Sequence, residues 1–148
     1  MAKKIKRIEP YLFIVYILIL IYLLFLEREF DPDAGLNLKP FYSFKMFYPL
    51  LKSDYMPYRY LAFENLFGNV LLFIPMGFFL PTLFRKQRDF LYMLLTVVAI
   101  STLVETVQYI TKLGTTDIDD VILNVVGAII GYVFYLIVKG RKRWTISL

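Results

Sequence analysis

Cysteine and histidine are both absent from this chain of 148 residues. Without cysteine there is no disulfide framework and no thiolate metal site. Without histidine the commonest general base and the commonest zinc ligand are missing. Any catalysis must run on carboxylates, amides, hydroxyls, lysine or arginine. Internal repeats and low-complexity tracts are also lacking. Apolar surface is abundant instead: 59% of residues are hydrophobic and 18% aromatic, more than a soluble domain of this length hides in one core. The composition places the chain in a bilayer.

Four apolar runs divide the sequence. The first, Tyr11 to Leu26, is entered through Lys3, Lys4, Lys6 and Arg7 and left through Glu27, Arg28 and Glu29. No small-x-small cleavage site follows it, so it reads as an uncleaved anchor. A span needs about 20 residues at a rise of roughly 1.5 Å each, so Ile8 and Phe30 are expected to extend this short run. The spans are placed at about 10–28, 61–83, 90–110 and 118–138 within a single domain, 1–148. The predicted fold class is all-α: a polytopic bundle of four transmembrane helices with an aromatic interfacial loop between the first two.

That loop interleaves Phe41, Tyr42, Phe44, Phe47 and Tyr48 with Lys45, Lys52 and Arg59. Such a pattern can stack bases and contact phosphates. Beside a membrane it reads better as a segment lying among headgroups, where rings with polar tips settle. Pro49 and Pro57 argue against one continuous helix there. No nucleic acid partner is expected, although the net charge is +5.

The distribution of that charge sets the orientation. Lysine and arginine concentrate at the amino terminus, at Arg85, Lys86 and Arg88, and at Lys139, Arg141, Lys142 and Arg143. These segments are expected on the cytoplasmic side, with both termini inside. The connection from Thr111 to Asp120 holds Lys112 against Asp117, Asp119 and Asp120, and falls outside with the long loop.

In that topology the hydrophilic residues of three spans gather at the outer end. Glu64, Asn65 and Asn69 open the second span; Glu105 and Gln108 close the third; Asp117, Asp119 and Asp120 stand at the mouth of the fourth, with Asn124 one turn deeper. Helical spacing puts Asn65 with Asn69, Glu105 with Gln108, and Asp120 with Asn124, Gly127 and Gly131 on single faces. Polar groups in hydrocarbon are expensive and tolerated only when paired or wet. These nine residues are therefore the candidate ligand-binding set, and Glu105 and Asp120 the candidate catalytic carboxylates.

Packing and capping roles also fit some of these residues. Asp117 or Asp119 suits an N-cap, and acids near a helix N-terminus interact well with its dipole. Gly127 and Gly131 form a small-xxx-small motif for close helix packing, within one chain or in a homo-oligomer. Packing is the favoured reading for the glycines and Asn124, and a site role for Glu105 and Asp120. Carboxylates and amides would suit a hard cation, yet the spacing of the three aspartates is not that of a calcium loop, so no metal and no cofactor is expected. Pro75 and Gly77 read as a kink in the second span.

The residues from 64 to 132 resemble the VanZ-like family of bacterial membrane proteins. The likeness runs through Glu64-Asn-Leu-Phe-Gly-Asn69, Phe73, Pro75 and Gly77, then Glu105 with Gln108, then Asp117, Asp119, Asp120, Asn124, Gly127 and Gly131. Many members carry an arginine shortly before the last acidic stretch, where this chain has Thr115 and Thr116; the cation of the site is left open, with Lys112 as a candidate. The resemblance implies a Gram-positive cell membrane and tolerance of glycopeptide antibiotics of the teicoplanin class. It carries over no catalytic residue.

Two functions compete. In the first, the outward-facing polar cavity binds an amphiphile, either a lipoglycopeptide or a lipid-linked wall precursor, with membrane lipids around it. In the second, the protein is a membrane-embedded enzyme that modifies a lipid-linked surface molecule through Glu105 or Asp120. A transporter ranks below both, because four spans without an inverted repeat give little material for alternating access.

Overall fold

The computed structural model describes residues 8–144, with side chains as far as Val138. Lys3, Lys4, Lys6 and Arg7 lie outside the described residues, as do the side chains of Lys139, Arg141, Lys142 and Arg143. Among the described residues, four helices are long and apolar enough to cross a membrane. They are α1 (Glu9–Ile21), which runs on through a π-helical turn at Tyr22–Leu26, α3 (Met56–Leu83), α4 (Phe90–Thr111) and α5 (Ile118–Trp144). A short α2 (Tyr42–Phe47) and a 3₁₀ turn (Tyr48–Lys52) occupy the aromatic loop. The helical fold class holds. It is supplemented by a two-residue parallel pairing of β1 (Leu36–Asn37) with β2 (Thr116–Asp117), which stitches the long loop to the α4–α5 connection.

The helix boundaries follow local chemistry. Pro10 and Pro57 sit in the first turns of α1 and α3, where a missing N–H removes no intrahelical bond. With Pro57 tolerated there, α3 begins at Met56, ahead of the apolar run that starts at Leu61. The Asp89 carboxylate accepts from the backbone N–H groups of Leu91 and Tyr92 and so starts α4. The first helix stops at Leu26, so Phe30 lies beyond it in irregular chain. Pro75 and Pro81 both lie inside α3, whose helical run continues through them.

The second half of α3 and α5 form the tightest pair. A Cβ on Gly77 would overlap the Ala128 carbonyl, and Cβ atoms on Gly127 and Gly131 would overlap those of Val70 and Ile74. The small-residue motif therefore packs within the chain, backbone against backbone. Phe73, Met76, Met93, Val97 and Ala128 fill the centre. The first helix joins this core through Leu20 and Leu24; the Tyr16 hydroxyl donates to the Leu72 carbonyl at 2.9 Å, and the Phe13 and Phe79 rings meet at 5.8 Å. Outward, Ile14, Leu18, Leu95, Leu103, Phe134 and Leu136 are exposed, an apolar exterior suited to lipid.

Candidate functional site

The antiparallel run of α3, α4 and α5 brings the start of α3, the end of α4 and the start of α5 to one end of the bundle. There a cavity of about 790 Å³ lies between α1, α3, α2 and the loops. Its polar lining includes Glu64, Asn65 and Asn69 from α3, Asp117 from β2, Asp120 from the start of α5, and Asn37 and Ser43 from the long loop. Its apolar wall is Leu23 and Leu24 from α1, Leu61, Leu71 and Leu72 from α3, and Met46 and Phe47 from the aromatic segment.

Five of the nine expected residues thus reach the cavity, and each has a distinct setting. Asp120 is half-buried, with the Asn69 side chain as its hydrogen-bonding neighbour. The Asn65 amide donates to the Leu61 carbonyl of its own helix at 2.8 Å. Glu64 is exposed on the same wall. Asp117 is committed: one oxygen accepts from the Ser43 hydroxyl and, at 3.0 Å, from the Asn37 amide; the other accepts from the Asp119 N–H at 2.8 Å, the N-cap bond of α5.

The other four are held by the fold. Glu105 is buried behind the wall; its carboxylate accepts from the Asp117 N–H at 3.0 Å, and its backbone carbonyl accepts from the Thr116 hydroxyl at 3.3 Å. The Asp119 carboxylate accepts from the Phe41 N–H at 2.6 Å and from the Ser43 N–H at 2.9 Å, capping α2 from another helix. Phe41 is left-handed at φ 63°, and this carboxylate fixes it. The Gln108 amide donates to the Leu24 carbonyl at 3.0 Å, joining α4 to α1, and the Asn124 amide donates to the Ser101 hydroxyl at 2.8 Å, joining α5 to α4.

The cation of the site is Arg28, which the sequence pattern leaves as part of the exit from the first span. It lines the cavity, and its charge acts on both Glu105 and Asp120. Gly114, at φ +91°, makes room for it: a Cβ there would lie 3.0 Å from the Arg28 Nη1. Lys112 serves elsewhere, donating to the Ala34 carbonyl at 3.0 Å and standing 5.4 Å from the centre of the Tyr109 ring. The position of Arg28 between Glu27 and Glu29, at the end of an apolar run, is the only local mark it carries.

The cavity therefore offers carboxylates, amides and one guanidinium together with leucines. That arrangement suits an amphiphile better than a small polar metabolite.

The VanZ/LLP1 family model matches residues 13–139. Over 73 residues the chain is 40% identical to Protein VanZ of Enterococcus faecium, an alignment covering 49% of this chain and 45% of that relative. The matched region thus spans less than half of the relative's length. No solved structure matches.

Proposed function

The chain belongs to the VanZ/LLP1 family, and from that premise we propose that it protects a bacterial cell membrane against glycopeptide antibiotics of the teicoplanin type by binding an amphiphile in its polar cavity. In this reading the cavity end faces outward, both termini are cytoplasmic, and the exposed rings of Phe41, Tyr42, Phe44 and Tyr48 lie among headgroups. The amphiphile is a lipoglycopeptide or a lipid-linked wall precursor. The observation that carries the proposal is the cavity itself. At about 790 Å³ it falls in the range of ligand sites, and hydrogen-bonding and apolar side chains line it together at the end of a membrane bundle.

Gly68 supplies the test. It lines the cavity, and a Cβ built on it meets nothing within 4 Å. Gly68→Leu therefore puts bulk into the space from a Cβ that meets no neighbour, and it replaces a helical glycine with a better helix former. Cells carrying it should lose teicoplanin tolerance while the protein reaches the membrane in parental amounts. Full tolerance from a well-expressed Gly68→Leu variant would show that the cavity is not where the protein acts.

A catalytic reading comes second. It is favoured by Ser43, whose hydroxyl donates to Asp117 inside the cavity and offers a nucleophile beside a carboxylate. Mass spectrometry of surface lipids and wall precursors from expressing and non-expressing cells separates the two readings, because only an enzyme leaves a new covalent product.

A further inference from the structure

Charge in the cavity is unevenly supplied. Five carboxylates, those of Glu27, Glu29, Glu64, Asp117 and Asp120, line it with one guanidinium, Arg28. The charge of Arg28 already acts on two acids, Asp120 and Glu105. An anionic group entering this space meets a surplus of negative charge. A positive group meets Asp120, half-buried, and Glu64, which has no hydrogen-bond partner among the described residues. The carboxamide of Asn65 stands on the same wall, and its oxygen adds a neutral acceptor. Compact ammonium groups, with three donors, match such a set of oxygens.

The apolar half of the cavity says where the rest of the ligand goes. Near Tyr16, α1 and α3 are in contact, through the bond from its hydroxyl to Leu72. Leu23 and Leu24 of α1 and Leu61, Leu71 and Leu72 of α3 all line the cavity. Leu61 and Leu71 line the cavity and are exposed, so they offer an apolar surface to an acyl chain. A chain can lie along it while its headgroup rests against α3 and the start of α5.

We infer that the ligand is an amphiphile with a primary ammonium in its headgroup, seated sideways between α1 and α3 with its ammonium on Glu64 and Asp120. This rests on the binding role proposed above and adds the chemical class of the ligand. The test uses the full chain in phosphatidylcholine nanodiscs doped with phosphatidylethanolamine, with its N-acetylated form, or with phosphatidylglycerol, and native mass spectrometry to read the retained lipid. Phosphatidylethanolamine should be retained about tenfold better than the other two, the factor expected from one charge-assisted hydrogen bond. Glu64→Gln with Asp120→Asn should remove the preference; should that pair fail to fold, Glu64→Gln alone, at an exposed position, should reduce it. Equal retention of phosphatidylglycerol or of the N-acetylated lipid would overturn the inference and leave the binding role standing. Retention of all three lipids to the same extent in the parent and in Gly68→Leu would overturn both. Adding teicoplanin to the phosphatidylethanolamine discs identifies the source of the ammonium: displacement of the lipid assigns the site to the antibiotic, and persistence assigns it to a membrane lipid.

Discussion

The backbone N–H of Asp117 donates to the Glu105 carboxylate at 3.0 Å, tying the end of α4 to the start of α5. Glu105 thereby faces the acidic turn from behind and does not line the cavity, whereas Asp120 does. Two carboxylates that look equivalent in the sequence have different work: one orders the wall and the other forms it.

That division separates two substitutions. Glu105→Gln keeps an oxygen able to accept the Asp117 N–H, and is expected to melt close to the parent in detergent and to retain teicoplanin tolerance. Glu105→Ala leaves a buried donor unpaired and should cost about 1–3 kcal/mol. Asp120→Asn should fold and lose tolerance. If Glu105→Gln is as damaged as Glu105→Ala, the charge is what α5 requires and the acceptor is incidental.

The glycine contacts predict an opposite pair of outcomes along α3 and α5. Gly131→Ala pushes a methyl group into the Ile74 carbonyl and must move one helix, at about 1–3 kcal/mol for overpacking. Gly68→Ala meets open space and should be neutral, or stabilise by up to about 1 kcal/mol through helix propensity. Thermal unfolding of both in the same detergent tests this. A Gly131→Ala variant as stable as the parent would mean that α3 and α5 do not approach so closely.

Asp119 holds the aromatic segment to the bundle through the Phe41 and Ser43 N–H groups. Asp119→Ala removes an acceptor of the capping kind, worth about 1 kcal/mol. Faster hydrogen exchange across Tyr42–Lys52 is expected, with α3 and α5 still protected. Exchange unchanged in that stretch would mean that the ring contacts, such as Phe44 on Tyr48, suffice to hold it.

Much of this was legible in the sequence. Four apolar runs gave four long helices, and reversal of direction at each connection put Asn69, Glu105, Asp117 and Asp120 at one end. What the pattern did not reveal was how these groups divide their labour. Helical spacing put Asp120, Asn124, Gly127 and Gly131 on one stripe, but a stripe meets whichever neighbours surround it: Asp120 meets the cavity, Asn124 meets Ser101, and the glycines meet α3. Whether an amide faces a ligand or a helix end depends on how adjacent helices are rotated, which no local pattern encodes. Arg28 was hidden for a related reason. Its acidic neighbours come from the far half of the chain, and its own surroundings, two glutamates at the end of a span, read as an ordinary interface.

Gln108 shows why such polar residues are retained where water is scarce. Leu24 lies in the last, π-helical turn of the first helix, and its carbonyl belongs to the group that a helix end leaves without an internal partner. In hydrocarbon such a group must be satisfied by protein, and the Gln108 amide does so at 3.0 Å. Gln108→Leu keeps the bulk and removes the donor. It is expected to cost about 0.6–2 kcal/mol, in the range of interhelical hydrogen bonds within membranes. Its effect should be confined to the end of α1, read as faster hydrogen exchange over Tyr22–Leu26. Because Leu23 and Leu24 form part of the cavity wall, loosening that turn should also weaken retention of whatever amphiphile binds there, while α3 and α5 stay as protected as in the parent. Unchanged exchange at Tyr22–Leu26 in Gln108→Leu would show that the first helix is anchored by Tyr16 and its ring contacts alone.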